Sequence, residues 1–249
     1  MKQNKARYFI GDFETTVYEG QTDTEVWASA SVELFTDDVK VFHSIGEQFE
    51  YFKSIPGHIV VYYHNLKFDG NFWLSYLLVN LGFTQALLDK DGKPDWAKSK
   101  DMPNNSVSYV ISELGQWYLI DIKVNNRIIE LRDSMKLLPF SVAEIGKSFN
   151  TKHQKLDIEY TGFRYAGCNI TEEEINYIKN DVLVMKEALE IMFTQGHKKL
   201  TIGSCCLAEF RRLFGSKPYE RCFPEFIRNT YRRIGLQCTK CWRICKALI

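Results

Sequence analysis

Apolar residues fall at strand-like spacings early in the chain and at helical ones later. Tyr8 to Phe13 is a short apolar run rich in aromatics, and Glu25 to Leu34 and Val39 to His43 follow as strand-like segments between polar turns. Three such segments in succession predict an antiparallel meander. From Glu47 to Ile55 the apolar residues Phe49, Phe52 and Ile55 recur at helical spacing, and Pro56-Gly57 ends that helix before the apolar strand Ile59 to Tyr63. A helix between strands implies a crossover. Asp69 is positioned to cap a second helix, Gly70 to Leu81, whereas Asp89 to Asn105, with its Gly, Pro, Asn and Lys, reads as a surface loop. Two strands, Gln116 to Val124 and Arg127 to Arg132, then precede helical periodicity over Ser141 to Phe149 and Thr171 to Phe193. The last helix opens with Thr171 and Glu174 at capping-box spacing. The expected fold class is α/β, an antiparallel-rich mixed sheet flanked by helices. There is no internal repeat, and the periodicity weakens near Leu200, so a domain over 1–200 and a separate segment over 201–249 are expected.

Composition adds few constraints and charge adds one. With 249 residues, 45% of them hydrophobic, the chain can bury a sizeable core. Its longest apolar stretch, Phe72 to Phe83, is interrupted by Ser75, Asn80 and Gly82 and falls short of the roughly 20 residues a membrane span needs. Met1 to Arg7 is polar and basic without the apolar region of a secretory signal, so a cytoplasmic protein is expected. The seven cysteines, an odd count confined to the second half, are expected to be reduced thiols. The net charge of +1 conceals an asymmetry, because Gly196 to the end holds 12 Lys/Arg against 3 Asp/Glu, and the preceding part 20 against 28. An acidic body repels nucleic-acid phosphates unless cations neutralise its carboxylates.

Three elements carry candidate chemistry. Asp12 and Glu14 lie two apart on the first strand, so both side chains leave the same face and can serve one site. Alone, such a pair also reads as a solvated strand edge. His64-Asn65-Leu66-Lys67-Phe68-Asp69 forms a turn between strand and helix, in which Asp69 has an ordinary reading as a helix cap. The same turn offers a His, an Asn and an aromatic ring, groups that hydrogen-bond and stack on unpaired nucleotides. Tyr177 and Asp181, at i and i+4, set a phenol beside a carboxylate on one helix face.

In this order and context, Asp12-Phe13-Glu14-Thr15-Thr16, Tyr63-His64-Asn65-Leu66-Lys67-Phe68-Asp69-Gly70 and Tyr177-Ile178-Lys179-Asn180-Asp181 resemble the three motifs of DEDD-type proofreading exonucleases. They are most similar to the exonuclease domain of protein-primed family B DNA polymerases of phages and linear plasmids. The resemblance continues through Gly115 to Tyr118, Asp133 to Phe140 and Lys155 to Tyr160, and covers about the first 200 residues. It implies a ribonuclease H-like fold and 3'-5' exonuclease activity with two divalent ions, Mg2+ or Mn2+. By the same resemblance Asp12, Glu14, Asp69 and Asp181 are the metal ligands, Tyr177 positions the attacking water, and Lys155 stabilises the scissile phosphate. Thr15, Tyr62, His64, Asn65, Phe68, Phe72, Ser134 and Met135 are then expected to contact a single-stranded DNA 3' end, with Tyr160 shaping the site. Met135 departs from the family's Leu by a volume-conserving change. A terminal protein primer is the partner such polymerases imply, and the host cytoplasm the location if the chain is phage-encoded. A DEDD-type ribonuclease and a single-strand-binding module without cleavage are the competing functions.

Thr201-Ile202-Gly203-Ser204 and Tyr231-Arg232-Arg233 look like the start of that family's connection to its polymerase domain, but resemblance ends after Gly235. Neither Ser-Leu-Tyr-Pro nor Tyr-x-Asp-Thr-Asp follows, so no polymerisation by this chain is expected. Cys238, Cys241 and Cys245, with Cys222, have an alternative reading as a zinc site, although a frameshifted or truncated frame accounts better for this ending.

Overall fold

The computed structural model describes residues 6–16, 18–90, 93–158, 160 and 163–222. Tyr231 to Gly235 and the cysteines at 238, 241 and 245 lie outside them. The chain divides into two compact units, Met1–Ile202 and Gly203–Ile249.

The first unit is built on an eight-stranded mixed sheet. Strands β1 (Arg7–Thr15), β2 (Val26–Glu33) and β3 (Lys40–Phe42) form the expected antiparallel meander. Helix α1 (Ile45–Ser54) starts at Ser44, whose side chain accepts from the Glu47 amide, and leads to β4 (Ile59–Tyr63). Strand β4 pairs parallel with β1 on one side and with β10 on the other. Helix α2 (Leu66–Ser75) follows, prolonged by a π-helical turn over Tyr76–Asn80. Next come β5 (Thr84–Gln85), β6 (Leu87–Lys90), β7 (Lys93–Trp96), β8 (Ser106–Ile111), β9 (Trp117–Val124) and β10 (Arg127–Asp133). Sheet order is β3-β2-β1-β4-β10-β9-β8-β5, with β6 and β7 forming a separate hairpin. Helices α3 (Val142–Phe149) and α4 (Glu172–Thr194) complete the unit, and both open with capping boxes, Ser141 with Glu144 and Thr171 with Glu174. Helix α5 (Ile202–Phe214) starts at the last residue of the first unit, and the second unit's described residues contain the rest of it and α6 (Ser216–Cys222), where Cys222 is an exposed free thiol.

Alternation along the strands divides the side chains between two layers. Phe9, Phe13, Ile59, Val61 and Tyr63 join Phe49, Phe52, Leu66 and Trp73 in a core beneath α1 and α2. The intervening residues face α4, whose Phe193 meets the rings of Tyr8 and Tyr62 edge-on. Where α4 crosses the sheet, Ala28 and Ala30 stand opposite Glu14 and Asp12 on β2, and both are fully buried. Small residues there leave room for acidic side chains between sheet and helix.

Two expectations need correcting. Helix α2 begins at Leu66, so Asp69 lies inside its first turn and does not cap it. The cap comes from elsewhere, because Asp133 Oδ1 accepts from the amides of Asn65 at 3.2 Å and Leu66 at 3.3 Å. Those amides would otherwise be orphan donors, and the distant carboxylate leaves Asp69 free to face the site. The segment 89–105 is also not simply a loop, since Leu87–Lys90 and Lys93–Trp96 pair in register. The Asp91-Gly92 dipeptide between them is a strong short-range hairpin signal that the composition of the segment obscured. Strand β8, absent from the sequence reading, extends the sheet beyond β9. Among the described residues no helix is long and apolar enough to cross a membrane.

Gly11 precedes Asp12 on β1, and a Cβ there would lie 2.5 Å from Tyr63 Cζ. The Tyr63 ring is fully buried and cannot retreat, because its hydroxyl donates to Gln48 Oε1 at 2.7 Å while Gln48 Nε2 donates to the Ala30 carbonyl. Gly11→Ala is therefore expected to cost about 1–3 kcal/mol through overpacking. A urea midpoint equal to that of the wild type would contradict this.

Candidate functional site

Strands β1, β4 and β10 run in the same direction, so their carboxyl ends share one edge of the sheet. Ligand sites of open sheets form at such edges. β1 supplies Asp12 and Glu14, the turn after β4 supplies His64 and Asn65, the first turn of α2 supplies Asp69, and the end of β10 supplies Asp133 followed by Ser134. Helix α4 brings Tyr177 and Asp181 over this edge. Ligand oxygens of Asp12, Glu14 and Asp181 lie within 4.8 Å of one another. Asp69 is not part of that triad, although its carboxylate raises Asp12 and is itself raised by Glu14. A cavity of about 180 Å³ opens between Asp12, His64, Lys155, Asp181 and Met185. None of the four carboxylates borders the larger cavity, about 460 Å³, beside Phe35, Glu187 and Ile191, so the smaller one is the chemically relevant space.

Crowded, desolvated carboxylates resist ionisation. Burial, then the charges of Asp69, Glu14 and Asp181, push the Asp12 carboxyl well above its ordinary range. Burial does the same to Asp69, with smaller contributions from Glu14 and Asp133 and against a backbone hydrogen bond to its carboxylate. Glu14 is raised from 4.5 to about 7, chiefly by burial, although the Tyr160 hydroxyl donating to its Oε2 at 2.6 Å opposes the shift. Asp181 is also raised by burial, against the pull of the Lys155 ammonium that it pairs with. Lys155 in turn is held well above the ordinary lysine range by Asp181 and Tyr177, which outweigh its own desolvation. It also donates to the Tyr177 hydroxyl at 2.6 Å. Only one carboxylate oxygen of Asp181 is engaged, for its Oδ1 is buried without a partner. An orphaned buried acceptor among three converging carboxylates fits the ligand set of a cation. The donor set is entirely hard oxygen, which suits Mg2+ or Mn2+.

The other expected residues occupy varied positions. His64 is half-buried with both ring nitrogens engaged, Nε2 with the Phe140 carbonyl at 2.8 Å and Nδ1 with Ser134 Oγ at 2.9 Å. Burial lowers its pKa, and the Phe140 carbonyl fixes Nε2 as a protonated, donating nitrogen. Ser134 is buried by this arrangement, and Met135 is half-buried with its amide on Asp133 Oδ1. Asn65 is exposed, with a left-handed φ of 72° that an Asn tolerates in a tight turn. Phe68 is exposed at the rim, edge-on to the half-buried Phe72 at 5.3 Å. Thr15 follows a bulge at Glu14 and is half-buried. Tyr62, however, is in the interior, 1% exposed, with its ring against Phe193 and its hydroxyl accepting from Arg132 at 3.2 Å. Period-two alternation turns it from the rim toward α4. Sequence reasoning overlooked Asp133, which organises the turn by accepting three backbone amides, those of Asn65, Leu66 and Met135. Its position before Ser134 at a strand end was the available signal.

Residues 52–168 match the model of the family described as DNA polymerase type B, organellar and viral. The DNA polymerase of Bacillus phage B103 is 35% identical over 239 residues, covering 91% of this chain and 39% of that protein. Phi29 DNA polymerase solved with primer-template DNA aligns at a TM-score of 0.75 and 32% identity, covering 92% of this chain and 38% of the other. The same enzyme, from Bacillus phage phi29, solved with single-stranded DNA aligns at a TM-score of 0.72 and 34% identity, covering 86% and 36%. This chain thus spans about two fifths of the length of the relatives it matches. Shared architecture and sequence over nearly all of the chain establish that it belongs to the organellar and viral type B DNA polymerase family.

Proposed function

We propose that this chain is a 3'-5' exonuclease acting on single-stranded DNA, the editing part of a protein-primed polymerase. The observation that carries this reading is the convergence of Asp12, Glu14 and Asp181 within 4.8 Å, in a chain related to DNA polymerases. Asp12, Glu14 and Asp181 would hold one divalent cation, and Asp69 beside them would share a second. Bound there, the cations supply an activated water and charge stabilisation for the leaving 3' oxygen. The Tyr177 hydroxyl accepts from Lys155 and so keeps its own hydrogen to orient that water. Lys155 sets a positive charge where the scissile phosphate enters. Thr15, Asn65 and Phe68 at the rim bind the terminal nucleotide, while His64, Ser134 and Asp133 hold the turn that presents them. Rim groups of this kind reach only an unpaired, splayed terminus.

The test is a 5'-labelled single strand incubated with and without Mg2+. Stepwise shortening that requires the metal, and far slower loss from blunt duplex, is the expected result. Equal rates on single strand and duplex would contradict it, and preference for a matched RNA would move the assignment to a ribonuclease. Asp12→Ala should reduce cleavage thousands-fold or more, since a shared cation site supplies several kcal/mol in the transition state. Tyr177→Phe loses only a water-orienting hydroxyl and should cost roughly ten- to several-hundred-fold, with Lys155→Ala between the two. Activity of folded Asp12→Ala within about tenfold of wild type at saturating Mg2+ would sink the proposal.

The raised carboxylates also set a pH dependence. Between 4.5 and about 7 the folded metal-free protein keeps a proton on Glu14 that the unfolded chain releases. Fewer protons bound in the unfolded state mean that stability falls as pH rises through that window. Melting in EDTA should therefore occur a few degrees lower at pH 8 than at pH 5.5, and Mg2+ should raise it more at pH 8. A melting temperature that climbs with pH in EDTA would count against this electrostatic account.

A further inference from the structure

Outside the carboxylate site, three aromatic rings stand together on the surface of the first unit. Tyr18, Phe163 and Tyr165 are 42%, 60% and 52% exposed. The Tyr18 and Phe163 rings are 5.1 Å apart, and those of Phe163 and Tyr165 are 5.8 Å apart with planes inclined by 30°. Burial does not explain them, since a core contact would remove these large side chains from water. Contiguous exposed aromatics of this kind mark binding surfaces.

The backbone holds these rings outward. Arg164, between Phe163 and Tyr165, turns inward, where its Nε donates to Glu174 Oε1 at 2.8 Å and its guanidinium lies 5.5 Å from the ring centre of buried Trp27. Its two neighbours, Phe163 and Tyr165, are the exposed ones. Trp27 meets the Tyr160 ring edge-on at 5.2 Å, and the Tyr160 hydroxyl donates to Glu14. On the other side, Tyr18 lies four residues after Glu14, in a turn fixed by its amide donating to Gln21 Oε1 at 2.9 Å. The rings are thus fixed from both sides to the element that carries the carboxylates.

We propose that Tyr18, Phe163 and Tyr165 form a stacking platform for bases of the single strand beyond its 3'-terminal nucleotide. This rests on the exonuclease reading of the neighbouring site and extends the path of the strand past it. All three exposed side chains are planar, and base–aromatic stacking requires planar faces without regard to base identity. An apolar protein surface would be served as well by aliphatic side chains. The platform would add affinity with strand length and no sequence preference.

Binding of oligothymidylates of about 3 and about 12 nucleotides, read by fluorescence anisotropy in EDTA, tests this without cleavage. Wild-type protein should favour the longer strand. In the double variant Phe163→Leu with Tyr165→Leu, which keeps apolar bulk and every charge, that preference should shrink roughly tenfold or more. Phe163→Tyr with Tyr165→Phe retains both rings and should restore it. An undiminished preference in the leucine variant overturns the platform, as does an equal loss for both lengths. Because binding is read without metal, failure of the nuclease reading would instead appear as no Mg2+-dependent cleavage alongside intact length-dependent binding.

Discussion

Repulsion among closely set carboxylates is the constraint to which the rest of this structure answers. Two unit charges about 4 Å apart repel by roughly 4 kcal/mol at an effective dielectric of 20, and here Asp12, Glu14 and Asp181 converge with Asp69 nearby. Two neighbouring groups offset that repulsion. Lys155 places its ammonium against Asp181, and Tyr160 donates its hydroxyl to Glu14. Burial first, and the remaining repulsion after it, raise Asp12, Glu14 and Asp69 above the ordinary carboxylate range. This crowding, with Asp181 Oδ1 left without a partner, supports the proposed cation site.

The supporting structure serves the same end. Parallel pairing of β4 with β1 and β10 brings three strand ends to one edge. Asp133 substitutes for the missing cap of α2 and thereby leaves Asp69 facing the site. Ala28 and Ala30 make room beneath α4, and Gly11 admits the Tyr63 ring beside the strand that carries Asp12. The Thr171 and Glu174 box, with Arg164 paired to Glu174, fixes the start of the helix that delivers Tyr177 and Asp181.

Features encoded by neighbouring residues were legible in the sequence. The meander, strand β4 and the capped start of α4 follow from spacing and caps a few residues apart, and the motif residues that now converge could be named from their order. Features decided by distant partners were not. The first turn of α2 is satisfied by a carboxylate 67 residues away, so local capping logic chose Asp69. Strand β8 gains its identity from pairing with β9, and its own run, Ser106 to Ile111, is too polar at one end to announce itself. Tyr62 has the composition of a rim residue, but its strand parity and the arrival of Phe193 turn it inward.

The central claim is that these carboxylates form a cation site and not merely an acidic cluster neutralised by lysine. Anomalous diffraction from crystals soaked in Mn2+ reads this directly. The account predicts a peak between Asp12, Glu14 and Asp181, with Lys155 displaced from the Asp181 carboxylate. An undisturbed Lys155–Asp181 pair, with no peak at the triad under saturating Mn2+, would contradict it.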